Sequence, residues 1–184
     1  MTSKPRPWRS FGSWVALAAL AVVAWAQGED PLDRLSTGKS GPGWDGVELG
    51  ISLVKAERLV GTTLAISPGS RLPVCSEFAA SADHNGLRLV FGFPSARPGA
   101  KVESLWVQFG GEQIAASRDE LVVSLLRRFP EARWIPDPEH PQENEQSDPT
   151  PVFDLGGSPP SVAKITPREG IQIARRDCLS KTKE

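Results

Sequence analysis

Few residues in this chain combine the type and spacing that chemistry needs. Glu77 and Glu103 fall in stretches that alternate like strands, so they could project into one cleft as general acid and base. Glu48, Glu57, Asp83 and Glu112 are further candidates for such a pair, and nothing marks any of the six above ordinary solvent-facing charge. His84 lies between Asp83 and Asn85, and His140 lies in an acidic run; there is no other histidine. A Ser-His-Asp arrangement is formally open through His84, but no G-x-S-x-G places a nucleophile.

"STGKSG", 36–41, invites comparison with a phosphate-binding loop. The motif requires a glycine five residues before Gly38, and Asp33 occupies that position. The segment reads instead as a polar leader. Cys75 and Cys178 are the only cysteines, and in an oxidising compartment they are expected to form one disulfide. With the thiols oxidised, zinc bound by His and Cys is excluded. The acidic run matches no EF-hand spacing, so a solvated loop is preferred to a calcium site. No catalytic, cofactor-binding or metal-binding residue is therefore assigned, and no cofactor is expected. Trp44, Trp106 and Trp134 lie outside the signal segment; exposed tryptophans mark binding surfaces, whereas buried ones are only core. Trp106 reads as the cover of a helix or a partner contact, and Trp44 is the residue of its stretch expected to dock on something; these two are the candidate partner contacts.

The elements that hold these residues begin after an export signal. Lys4, Arg6 and Arg9 precede an apolar run, "WVALAALAVVAWA", that ends in the small-x-small pattern Ala24-Trp25-Ala26. Residues 1–26 read as a signal peptide cleaved after Ala26, which sends the protein to the periplasm or the medium. An uncleaved anchor is the alternative, though the run is short of the roughly 20 residues a spanning helix needs. Removing those three cations from 21 basic residues leaves 18 against 22 acidic ones, a net charge of −4. That balance, without a basic stripe interleaved with aromatics, argues against a nucleic-acid partner.

Residues 27–46, rich in Gly, Ser, Asp and Pro, read as a flexible leader, and 47–184 as a single domain. In "VELGISLVKAERLVG" Ser52 can cap a helix whose apolar face is Leu53, Ala56, Leu59 and Val60, ended by Gly61. Residues 64–109 read as β structure. A strand is expected within Leu72–Ala80, then a hairpin turn at Asn85-Gly86. "LRLVFGF" and "KVESLWVQF" follow, alternating Leu87, Leu89, Phe91, Phe93 and Leu105, Val107, Phe109 on one face. "SRDE" at 117–120 is a capping box for a helix with the stripe Leu121, Val122, Leu125, Leu126 and Phe129, stopped by Pro130. Residues 136–151 carry five carboxylates and no Lys or Arg, and read as an exposed, disordered Pro-rich loop. The last third reads as two or three strands, with Arg175, Arg176 and Asp177 favouring an edge or a solvent face. The fold class is α+β: two short helices on an antiparallel sheet, in the order helix, strands, helix, strands.

At "LGISLVKAERLVG" the chain resembles small exported proteobacterial proteins. These are the small protein A and outer-membrane lipoprotein A family and the fold group of β-lactamase inhibitory protein. Gly50, Ile51, Ser52 and Gly61 are the matching positions. "LRLVFGFPSARPGAKVESLWVQF" followed by "ELVVSLLRRFP" is similar to a further set of exported proteins. The resemblance spans about 47–130 and implies a helix-plus-sheet module for protein contacts in the envelope. The lipid-anchor cysteine of the assembly lipoproteins is missing, and no inhibitory loop residue can be matched. An exported binding module is the leading reading. A small hydrolase at Glu77 and Glu103 is the alternative, and a purely structural envelope protein is a third.

Overall fold

The structure, a computed structural model, describes residues 30–68, 76–109, 116–136, 150–166 and 169–179, with the side chains of residues 178 and 179 excepted. The signal segment 1–26, both cysteine side chains, residues 72–75 of the expected first strand and residues 137–149 of the acidic loop lie outside the described residues. The chain divides into units Met1–Asp30 and Pro31–Glu184, and the described helices and strands all belong to the second.

Local signals set the two longer helices. Helix α1, Leu53–Val60, starts at Ser52, whose hydroxyl accepts from the Lys55 N–H; it ends at Gly61, left-handed at φ 73°, whose N–H returns to Glu57 O. A residue with a Cβ is strained in that conformation, which is why glycine ends the helix. Leu53 and Ala56 are buried and Val60 is packed against the core, whereas Leu59 is 38% exposed. Each residue turns the helix by about 100°, so Leu59 falls outside the stripe its neighbours form.

Helix α2, Arg118–Arg128, opens on the full capping box: Ser117 N–H donates to Glu120 Oε2 at 2.7 Å, and Ser117 Oγ accepts from Glu120 N–H at 3.3 Å. Leu121, Leu125 and Phe129 are buried; Leu126, expected in the stripe, is 38% exposed. The Ser117 backbone N–H, and then its hydroxyl, hold the Glu120 carboxyl below its ordinary range. A lowered carboxylate stabilises the folded state above its unfolded pKa, and that contribution is lost as pH falls through the folded value. The protection of the amides at 118–121 against exchange, taken relative to their intrinsic rates, should therefore fall as acidification protonates Glu120, and Glu120→Gln should flatten this dependence. Equal pH profiles for the two proteins would contradict the capping role.

Eight strands form one antiparallel sheet: β4 (Ser67–Pro68), β5 (Phe78–His84), β6 (Leu87–Phe93), β7 (Ser104–Gln108), β8 (Arg133–Ile135), β9 (Val152–Gly156), β10 (Ser161–Thr166) and β11 (Gly170–Arg175). Their spatial order is β4-β5-β6-β7-β11-β10-β9-β8. Each half is a helix followed by a four-strand meander, and the final strands of the two halves, β7 and β11, pair at the centre. The α+β class and the three-strand meander expected from the alternation are thus present, with a two-residue turn at Asn85-Gly86. The C-terminal strand is not at an edge. Ile171 and Ile173 place β11 inside the sheet, and the charged residues cluster at its end, where Arg175 pairs with Asp177 at 2.8 Å. A short helix, α3 (Arg176–Leu179), follows. Among the described residues no helix is long and apolar enough to cross a membrane.

The expected flexible leader is instead structured from residue 30 on. β1 (Leu35–Thr37), β2 (Pro42–Trp44) and β3 (Val47–Glu48) form a second sheet. Leu32, Leu35, Trp44 and Val47 join the main core at 1% exposure or less. Its many turn residues shape tight hairpins between these apolar residues. Arg128 NH1 on α2 donates to Leu35 O at 3.1 Å, and the 50–52 segment bonds to 100–102.

Candidate binding face

The two faces of the large sheet have different chemistry, and strand alternation decides which residue goes where. One face carries Leu87, Leu89, Phe91 and Phe93 of β6, Leu105 and Val107 of β7, Ile171 and Ile173 of β11, and Ala163 and Ile165 of β10. These form a single cluster with Leu53 and Ala56 of α1 and with Leu121 and Leu125 of α2. Both longer helices therefore lie on this side.

The opposite, outer face has a straight row defined by register: Ser81, Val90, Trp106, Gln172, Lys164, Val152 and Ile135. Seven strands at about 4.8 Å make the row roughly 30 Å wide. Val152 is buried, and the other six are half-buried. A neighbouring row holds Asp83, Arg88, Gln108, Gly170 and Thr166, where Arg88 donates to Ser81 Oγ at 2.9 Å. Val152, Val162 and Ala174 form a separate small apolar cluster on this side, packed by Ile135. Trp106 Nε1 and Thr166 Oγ1 are buried without a hydrogen-bond partner; each such group costs about 1–3 kcal/mol.

Of the two tryptophans expected as contacts, only Trp106 stands on this face. Trp44 is corrected to a core residue: it is 1% exposed and its ring centroid lies 6.2 Å from that of Phe109. Trp134 on edge strand β8 is the most exposed large apolar side chain among the described residues, at 59%.

Glu77, exposed, precedes β5, while Glu103, half-buried, precedes β7; the two strands flank β6. On the outer face the ends of β5, β6 and β7 pack closely. Ser76 Oγ and Ser104 Oγ meet at 3.0 Å, and a Cβ on Gly92 would lie 2.1 Å from each. Ser104 is also the register partner of Ala174, four residues before Cys178. The residue after Cys75 and the strand leading to Cys178 therefore reach the same end of the β7–β11 pair.

"STGKSG" forms the β1–β2 hairpin. Ser40 N–H donates to Glu48 Oε2 at 2.9 Å, and a Cβ on Gly38 would overlap the Glu48 carboxylate. The chain's own carboxylate thus occupies the position an anion would take. His84, at the end of β5, is 3.4 Å from Asp45, and no serine hydroxyl is bonded to it among the described contacts. His140 lies outside the described residues.

Alternation in β7 marks Trp106 and Gln108 as a non-core face. The sequence carries no signal that Gln172 and Lys164 would join them, because that depends on β11 pairing with β7 across more than sixty residues. Comparison of the chain with family models, with curated proteins and with solved structures found no match.

Proposed function

We propose that the protein is an exported binding module that engages a protein or other envelope component through the outer face of its large sheet. The observation that carries this reading is the asymmetry of that sheet. Helices α1 and α2 and the apolar cluster occupy one side, while a half-buried row centred on Trp106 and Gln172 lines the other. Tryptophan is among the residues enriched at protein–protein interfaces and their hot spots, and Trp106 stands in the middle of this row.

The signal segment 1–26, cut after Ala26, delivers the module to the periplasm or the medium. A Cys75–Cys178 disulfide staples the domain there; the convergence of Ser76 and Ala174 on Ser104 supports it. The twice-repeated plan of helix and meander supports membership of the helix-plus-sheet fold group of β-lactamase inhibitory protein. The hydrolase alternative draws less support, because Glu77 and Glu103 precede β5 and β7, which lie on either side of β6.

Immobilised protein should retain a partner from an envelope extract. Trp106→Ala should weaken retention by about 2 kcal/mol, roughly 30-fold, and Glu77→Gln and Glu103→Gln should leave it unchanged. Equal retention by the wild type and Trp106→Ala would refute the assignment of the face.

A further inference from the structure

The cations of the described residues are unevenly matched. Arg34, Arg88, Arg128, Arg175 and Arg176 each donate to an oxygen within the domain. Lys55 and Arg58 on α1, and Arg97 and Lys101 in the β6–β7 connection, are exposed, and among the described residues none of the four has an ion-pair partner. Lys39 and Arg133 share that condition elsewhere in the fold. The β6–β7 connection is bound to the start of α1: Leu53 N–H donates to Ala100 O at 2.8 Å, and Ser52 pairs with Lys101 in an antiparallel bridge. The four cations therefore belong to one region. Glu57, the only carboxylate on α1, is half-buried, and its Oε1 accepts from Leu64 N–H at 3.0 Å. At about 100° per residue, Arg58 and Lys55 fall opposite the buried Leu53 and Ala56. Val54 and Leu59, both exposed, stand on either flank of them.

We propose that α1 and the 97–101 turn dock the domain on a bilayer surface rich in anionic phospholipid. Lys and Arg meet the lipid phosphates, and Val54 and Leu59 enter the headgroup boundary. A protein partner is less well matched, because protein interfaces place apolar side chains at the centre and charge at the rim, the reverse of this order. Nucleic acid is less well matched because α1 and the 97–101 turn carry no aromatic side chain on which bases could stack. Helix α2 is not part of the surface, since Asp119 and Glu120 stand exposed in its first turn.

The net negative charge of the chain does not oppose this docking. The acidic run is attached at β8 and β9, whereas α1 packs over β5. β5 and β9 are five strand spacings apart, about 24 Å. Exposed charges that far apart are largely screened, the Debye length being about 8 Å at physiological salt. Both longer helices lie on the core side of the large sheet, so a docked α1 leaves the outer face turned to solution. Docking is independent of the role proposed for that face.

The test is co-sedimentation of protein recovered after export with vesicles of phosphatidylglycerol mixed equally with phosphatidylcholine, and with vesicles of phosphatidylcholine alone. The expected result is binding to the anionic vesicles only, reversed at about 1 M salt, where the Debye length is about 3 Å. Lys55→Gln with Arg58→Gln should weaken partitioning about 25-fold, at roughly fivefold per charge. Arg97→Gln with Lys101→Gln should do the same, and keeps the result readable if the helix pair melts early. Arg133→Gln should leave partitioning unchanged. So should Trp106→Ala, which separates this surface from the outer face. Equal binding to neutral vesicles, no binding to anionic ones, or unchanged partitioning in a folded pair variant would overturn the assignment. Binding to soluble polyglutamate as tight as to the anionic vesicles would also overturn it, in favour of an acidic protein.

Discussion

Trp44→Ala is expected to lower the unfolding free energy by about 3–5 kcal/mol, as for a large aromatic removed from a packed core. For a domain of this size the Tm falls by on the order of 10 °C. The indole is 1% exposed, packs on Phe109 and stands opposite Leu35 in the β1–β2 pair. Its Nε1 has no hydrogen-bond partner, so the loss is one of packing alone. Trp44→Phe keeps much of that packing and removes a buried unpaired N–H, so it should cost far less. Trp134→Ala, at a 59% exposed edge position, should stay within about 0.5 kcal/mol. Thermal and urea unfolding of the three variants would check the order. A Trp44→Ala protein as stable as the wild type would return residues 30–48 to the status of a loose leader.

The second large effect belongs to the cysteines. If Cys75 and Cys178 are joined, the closed loop of about 100 residues gives a stabilisation on the order of 4–5 kcal/mol by constraining the unfolded chain. Reduction, or Cys75→Ala with Cys178→Ala, should then lower the Tm by roughly 10–18 °C. The denatured, unreduced protein should show no titratable thiol, and two free thiols would sink the idea. Topology makes the bond reachable: Ser76 contacts Ser104, Ser104 is paired with Ala174, and α3 begins two residues later.

Local chemistry made much of this fold legible. Ser52, Gly61 and the Ser117–Glu120 box bound their helices where the sequence places them, because caps act within a few residues. The alternation in β6 and β7 gave both strands and their buried face, and Asn85-Gly86 gave the turn between β5 and β6. What depends on distant partners was not legible. Pro42-Gly43-Trp44 reads as a loop from composition, yet Trp44 is buried because Phe109 and Leu35 meet it from elsewhere in the chain. Arg175, Arg176 and Asp177 suggest an edge or a solvent face; Arg176 and Asp177 are exposed, yet β11 itself is central, since Ile171 and Ile173 face the core between β7 and β10. The candidate face depends on the same long-range pairing. Trp106 could be chosen from its strand position, but Gln172 and Lys164 become its neighbours only through sheet register.

Site-specific photocrosslinking in the native envelope fraction tests the outer face most directly. A photoreactive residue is placed at Gln172, in the middle of the row, and in a second protein at Val123, exposed on α2 on the opposite side of the sheet. A discrete adduct from position 172 and none from position 123 is the predicted outcome. An adduct from 123 alone, or none from either, would contradict recognition through the outer face.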